Sequence, residues 1–222
     1  MNAQFAQKIT GDRKAVMAVI AGITATAVTY TKAPRFAYEA GGLSIDREGV
    51  LSTPIFPIRE AAFFSNLIAD LGEEGFDAEG ALCVTIIPDE FEPSHLRNIE
   101  AILAGKATLI RHALGTKSEL SVEPVEEGFC FSFFPASVSS EAVLAAVQFS
   151  TLVAAQAAGQ QSVRTRDRPV ENEKYAMRCF LLRIGMIGPE YAIARREFLA
   201  RLPGDGAFRS GSRPAAAVPE IL

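Results

Sequence analysis

Ala81-Leu82-Cys83-Val84-Thr85-Ile86-Ile87 is the stretch whose reading decides the fold. It is apolar or β-branched throughout and too short to be anything but a strand. Pro93-Ser94 then opens a helix, since proline is favoured in the first turn and serine can cap it. That helix is expected to reach about Leu103 and, after Gly105, to resume through Ala107–Leu114. Leu120–Val125 and Phe129–Phe134, linked by Glu126-Glu127-Gly128, read as a hairpin, and Ser139 or Ser137 caps a long helix through Ala158. Strand, helix, hairpin and helix in this order make a compact α+β unit with a covered sheet.

Upstream, Gly11-Asp12-Arg13-Lys14 precedes the apolar helix Ala15–Ile20, which Gly22 can end. Ala25–Thr31, Phe36–Ala40, Leu43–Asp46 and Val50–Thr53 alternate or are β-branched, and glycine or proline separates them. They read as an antiparallel meander. A helix from about Ile58 to Leu71 leads into the decisive strand. Downstream of a polar connector over 160–171, Asn172 caps one helix, Pro189 starts another and Pro203-Gly204 stops it. The expected organisation is a small α+β domain over 8–56, an α+β domain with a C-terminal helical hairpin over 57–209, and a disordered tail over 210–222.

With 222 residues and 49% apolar content, the chain can bury a sizeable core. Its net charge of −4 conceals a split: residues 1–163 hold 11 Lys/Arg against 19 Asp/Glu, residues 164–222 hold 11 against 7. An acidic body thus carries a basic C-terminal quarter. Cys83, Cys130 and Cys179 are odd in number, share no short spacing and lie within apolar runs. They read as buried, unpaired thiols of a reducing compartment. Ala15–Thr31 and Ala142–Val163 are uncharged, but the first is short and the second holds three internal glutamines besides Gln148, so neither reads as a membrane span. The start, Met-Asn-Ala-Gln-Phe-Ala-Gln-Lys, lacks the cationic and apolar regions of a signal peptide, and a cytoplasmic location is expected.

Candidate chemistry is sparse. His95 and His112 are 17 apart, whereas a helical metal pair needs a spacing of three or four. Neither a phosphate loop nor a dinucleotide fingerprint is present, and no cofactor or metal is expected. Acidic clusters at 73–79 and 89–92 fall between apolar elements and read as solvated loops. Arginines stand out in the terminal quarter: Arg178, Arg183, Arg195, Arg196, Arg201 and Arg209 are the candidate contacts to a partner or to nucleic acid. Two helices joined through Gly185-Met-Ile-Gly188 are compatible with a helix-turn-helix reader. The plainer reading packs Tyr175, Cys179, Leu182 and Met186 with Tyr191, Phe198 and Leu202 on the core, while the arginines pair with Glu173, Glu190 and Glu197. On that reading Leu182→Ala costs about 2–4 kcal/mol. The acidic body opposes broad phosphate binding.

Gly11-Asp12-Arg13-Lys14, Phe36-Ala37-Tyr38 with Ile45–Gly49, Leu109-Ile110 with Ala113–Gly115, and Phe129 to Pro135 occur in that order. Asn172–Ala176, Phe180–Arg183, Tyr191, Arg195 and Ala207-Phe208-Arg209 close the series. Together these blocks resemble a family of "virulence-related" proteins carried by prophages and integrative elements of Firmicutes. The resemblance implies an accessory protein of a mobile element and no particular activity.

Three functional readings follow. The first is a non-enzymatic module that binds a protein partner through its sheet face or its terminal hairpin. The second is a nucleic-acid-binding factor using the basic helices, and the third an enzyme of unfamiliar type. A membrane partner is not expected, and the sequence leaves the oligomeric state open.

Overall fold

The computed structural model describes residues 1–90, 92–160, 167 and 169–207. The expected disordered tail, Arg209 and most of the 160–171 connector lie outside the described residues. Among the described residues the class is α+β, with seven helices and one nine-stranded antiparallel sheet.

The sheet begins with a strand that its amide-rich sequence conceals. β1 (Asn2–Ile9) buries Ala3, Phe5, Gln7 and Ile9 and turns Gln4, Ala6 and Lys8 to the opposite face. Gln7 is the inward polar residue, and its carboxamide is satisfied by one backbone unit. Its Nε2 donates to the Ser137 carbonyl at 2.8 Å and its Oε1 accepts from the Ser137 N–H at 3.0 Å.

α1 (Arg13–Thr24) is capped by Asp12, whose carboxylate accepts from the Lys14 N–H at 3.3 Å. The helix passes through Gly22, its expected stop, and ends where Ala25 takes a left-handed conformation at φ 51°. The meander follows as β2 (Thr29–Tyr30), β3 (Tyr38–Ala40), β4 (Leu43–Ile45) and β5 (Val50–Ser52), with β6 (Phe56–Pro57) pairing beside β1. After α2 (Ala61–Glu73) come β7 (Ala78–Ile87), α3 (Pro93–Ala104), α4 (Ala107–Leu114), β8 (Val122–Val125), β9 (Gly128–Pro135) and α5 (Ser140–Ala158). Ser139 caps α5 through its hydroxyl. The chain closes with α6 (Glu173–Arg183), a 3₁₀ turn at Pro189–Tyr191 and α7 (Ala192–Ala200). Asn172 caps α6, accepting from the Tyr175 N–H at 3.1 Å.

Strand order is β2-β3-β4-β5-β1-β7-β9-β8. β1 is the seam: Gln7 pairs with Leu51 of β5 on one side, and Phe5 with Val84 of β7 on the other. The boundary expected at residue 56 therefore does not divide the sheet, and one continuous core draws on both sides of it. The architecture also repeats. β1-α1-β4-β5-α2 and β7-α3-β8-β9-α5 share one succession of elements, and the order β4-β5-β1 is mirrored by β7-β9-β8. An approximate two-fold axis thus runs between β1 and β7. The helices obey it as well, since α2 meets α5 across the axis, with α1 against α2 and α3 against α5.

All four of these helices cover one face of the sheet. Among the described residues only α5 has the length and composition to cross a membrane. Its buried positions, including Val143, Val147, Phe149, Val153 and Ala157, lie in the common core. α7 packs against α5, and α6 against α7. Phe149, fully buried, joins these layers: its ring lies 4.8 Å from Phe198, 6.2 Å from Phe180 and 6.1 Å from Phe134.

Two expectations are corrected by the packing. The buried residues of α6 are Met177, Phe180 and Leu181, followed by Ile184, whereas Tyr175, Cys179 and Leu182 are partly exposed. The helix has apolar residues on most sides, so spacing alone did not choose its inward face; contact of Phe180 with Phe149 does. Leu182→Ala should accordingly cost about 1–2 kcal/mol, roughly half the effect of stripping a core leucine. The cysteines are also not core residues. All three are free thiols and all are partly exposed. Period-two alternation sends Leu82, Val84 and Ile86 inward, with Phe129 and Phe131, and so turns Cys83 and Cys130 to the opposite face.

Candidate functional site

The face of the sheet opposite the helices is a continuous surface running across the strands. Cross-strand register defines its rows. Ser44 pairs with Ser52, Ser52 with Ala6, and Ala6 with Cys83, across β4, β5, β1 and β7. In the next row Gln4 pairs with Thr85, Thr85 with Cys130, and Cys130 with Glu123, across β1, β7, β9 and β8. Paired residues of an antiparallel ladder point to the same side. The rows are therefore built from small hydroxyl, thiol and methyl groups, with one amide and a single carboxylate, Glu123, at the edge. Ser121 and Ser132 extend the patch, their hydroxyls 3.1 Å apart.

Toward β3 the face deepens into a depression. Gln4, Ser44, Ser52 and Thr53 line it with Thr29, Arg35 and Glu39. Arg35 and Glu39 form an ion pair at 3.5 Å beside it. Gln4 is held in place because its Nε2 donates to the Thr53 carbonyl at 2.8 Å.

Cys83 and Cys130 lie on this face as diagonal neighbours of β7 and β9, and each shifts the ionisation of the other. They share protons unequally. Cys130 is lowered to about 6, first because Cys83 hydrogen-bonds to it and then because the Thr85 hydroxyl does so, against the opposing effects of burial and of Glu123. Cys83 is raised, first by the same hydrogen bond, then by burial and by the negative charges of Cys130 and Glu123. The two sulfurs therefore titrate together, and the first proton leaves more readily than it would from an isolated thiol. Sequence reading missed it because apolar neighbours suggested burial, although the alternation Leu82-Cys83-Val84-Thr85-Ile86 carries the signal.

The predicted arginines are largely engaged with the protein itself. Arg195 donates through Nη1 to the carbonyls of Met186 and Gly188, both at 2.9 Å, and so braces the turn between α6 and the 3₁₀ segment. Arg201 donates to the Leu114 carbonyl at the end of α4 at 2.6 Å, and Arg178 to the Gly206 carbonyl at 3.3 Å. Arg196 pairs with Glu141 of α5 at 2.9 Å. The expected partners Glu173, Glu190 and Glu197 thus give way to backbone carbonyls and to Glu141. A C-terminal turn leaves carbonyls without intrahelical donors, and a guanidinium satisfies them well. Arg183 is exposed at the end of α6 and lines a cleft with Lys106 and Tyr175.

Glu173 instead meets His112, with Nδ1 and Oε1 2.8 Å apart, joining α4 to α6. Arg111, Lys117 and Arg201 share this open cleft with the pair. His95 is 8% exposed, buried on α3. The two histidines therefore occupy unlike settings, and among the described residues no cluster of three or more metal-ligating side chains exists. No protein-family model matches the sequence, and no curated protein matches it either.

Proposed function

We propose that the protein is a non-enzymatic binding module that engages a protein partner through the uncovered face of its sheet. One observation supports this reading: an antiparallel sheet is covered by helices on one side only, and the middle rows of its other side carry mostly small side chains, with charges in the Lys8–Glu79 and Arg35–Glu39 pairs and at Glu123 around them. Eight strands at about 4.8 Å spacing span about 34 Å, and β1 extends for about 27 Å. That footprint is comparable with the roughly 800 Å² that each partner contributes to a standard interface. Small side chains also let another backbone approach closely. The arginines of the hairpin, by contrast, are mostly spent on internal carbonyls and Glu141.

The resemblance of the sequence to accessory proteins of mobile elements, together with three free thiols, supports a role inside a bacterial cytoplasm. The test is affinity purification of the tagged chain from its own cells, comparing the parent with Ala6→Arg on the sheet face and Arg183→Ala on the hairpin. Melting curves establish that both variants fold. Loss of a stoichiometric protein companion with Ala6→Arg, and its retention with Arg183→Ala, is the expected result. The reverse pattern, or recovery of nucleic acid in a salt-sensitive complex, overturns it.

A further inference from the structure

We propose that the cleft between α4, α6 and the end of α7 is a binding site for the phosphate monoester group of a small molecule, with Arg111 and Lys117 as its main contacts. The inference draws on no residue of the sheet face and is independent of the function proposed above.

The cleft is open, with a volume of about 910 Å³, and Thr108 and Thr116 line it beside Arg111, Lys117, Arg201 and the His112–Glu173 pair. That space exceeds what a phosphate needs and leaves room for the organic remainder of a small ligand. Three side chains of fixed positive charge thus converge on one cleft, in a chain whose net charge is −4.

Local negative charge accounts for some of these cations and not for the others. The end of α4 presents carbonyls without intrahelical donors, and Arg201 answers one of them by donating to the Leu114 carbonyl at 2.6 Å. Gly115 permits that approach, since a Cβ there would lie 2.9 Å from Arg201 Nη1. Glu173 is the one carboxylate lining the cleft, and His112 faces it at 2.8 Å. Asp167 bounds the site beyond Thr108, whose N–H it accepts at 3.0 Å. Arg111 and Lys117 are left over: among the described residues the side chain of neither has an ion-pair or hydrogen-bond partner. Arg111 suits the helix dipole in the last turn of α4, but the dipole does not engage its donors. It is also partly buried. A guanidinium held partly out of water without a protein acceptor gains most from an acceptor that arrives in the cleft.

The leftover charge indicates the class of ligand. Two uncompensated cations match a dianion, and a phosphate monoester approaches that charge at neutral pH, with three oxygens to accept from a planar fork and an ammonium. No Phe or Tyr lines the cleft, so a nucleobase would find no such ring to stack on. Recognition therefore falls on the phosphate itself.

The experiment titrates the full chain at neutral pH and fixed ionic strength with glycerol 3-phosphate, inorganic phosphate or uncharged glycerol, followed by calorimetry and by melting temperature. Saturable one-to-one binding of both phosphates, and none of glycerol, is expected. Arg111→Gln should weaken binding about tenfold or more, as loss of a charge-assisted hydrogen bond does, and Lys117→Gln up to about fivefold, as loss of an exposed point charge does. Arg111→Lys should fall between the parent and Arg111→Gln, because it keeps the charge without the fork. Glu173→Gln should tighten binding, and Arg47→Gln, which removes an exposed cation of the first half of the chain, should leave it unchanged. Should Arg111→Gln fold poorly, the opposite effects of Lys117→Gln and Glu173→Gln carry the test. Absence of saturable phosphate binding by the parent, equal weakening by Arg47→Gln and Arg111→Gln, or weakening by Glu173→Gln overturns the proposal. So does displacement of glycerol 3-phosphate by an oligonucleotide lacking terminal phosphates at equal phosphate concentration. A phosphoserine peptide that binds far more tightly than free phosphoserine also overturns it, by moving the phosphate from a small molecule to a modified protein.

Discussion

Phe149→Ala should unfold the molecule more readily than any other single truncation in α5, because Phe149 is the point at which sheet, helix layer and terminal hairpin meet. The side chain is fully buried, and three rings surround it at 4.8, 6.1 and 6.2 Å. Truncating a core phenylalanine costs about 3–5 kcal/mol through lost transfer energy and the residual cavity. Aromatic pairs add about 0.5–1.5 kcal/mol each beyond area, so the upper part of that range, about 4–5 kcal/mol, is expected. For a chain of this length each kcal/mol lowers the midpoint by about 2–4 °C, which gives a fall of about 8–20 °C. Urea unfolding and circular-dichroism melts measure both quantities, with Leu182→Ala as the partly exposed control at about 1–2 kcal/mol. A loss below about 2 kcal/mol for Phe149→Ala, or one no larger than that for Leu182→Ala, would refute the packing argument. A transition that splits in two would show that the hairpin is not part of the cooperative core.

Other consequences can be checked in the same way. Gly128→Ala should cost about 3 kcal/mol or more, because an added Cβ would lie 2.1 Å from the Ile86 carbonyl oxygen and force β9 off β7; an unchanged urea midpoint contradicts this. Arg195→Met strands two carbonyls and should cost about 1–3 kcal/mol, against less than about 0.5 kcal/mol for exposed Arg183→Ala. Equal losses for the two variants would remove the bracing role of Arg195. The dithiol should also make stability depend on pH. Cys130 ionises at about 6 when folded and at the ordinary 9.0 when unfolded, so its contribution is present above 9, lost as pH falls through 6, and stability rises between them. Cys83 is displaced upward, so its contribution is present below 9.0 and declines as pH rises beyond it. Urea titrations of the parent minus those of a Cys83→Ala/Cys130→Ala variant should show this rise and fall; a flat difference from pH 6 to 10 refutes it.

Elements governed by local chemistry were legible in the sequence. Asn172 caps α6 and Ser139 caps α5, the Glu126-Glu127-Gly128 corner turns a hairpin, and Ala81–Ile87 is a strand, because each depends on near neighbours. β1 was not legible, since Gln7 breaks its apolar face and is acceptable there only because Ser137, 130 residues away, completes its hydrogen bonds. The same limit applies to the candidate site. Cys83 and Cys130 become neighbours only through the pairing of β7 with β9, and the spacing between them in the chain contains no trace of it. Arg195 looked like an exposed cation because its acceptors are backbone carbonyls, which every sequence possesses and none advertises.

The approximate two-fold axis between β1 and β7 has a consequence for assembly. Each half, taken alone, would end in a naked inner edge whose unpaired amides and carbonyls invite another strand. In the intact chain those two edges are married to each other, so the molecule is arranged as a dimer whose subunits share one polypeptide. Within one polypeptide the two halves need not be identical. The second alone carries the thiol pair and the helical hairpin on its flank, while the first alone carries the extra strands β2 and β3 and the depression beside them. The two symmetry-related platforms of the sheet are thus chemically distinct, left from right, and able to dictate the direction in which a partner lies across them.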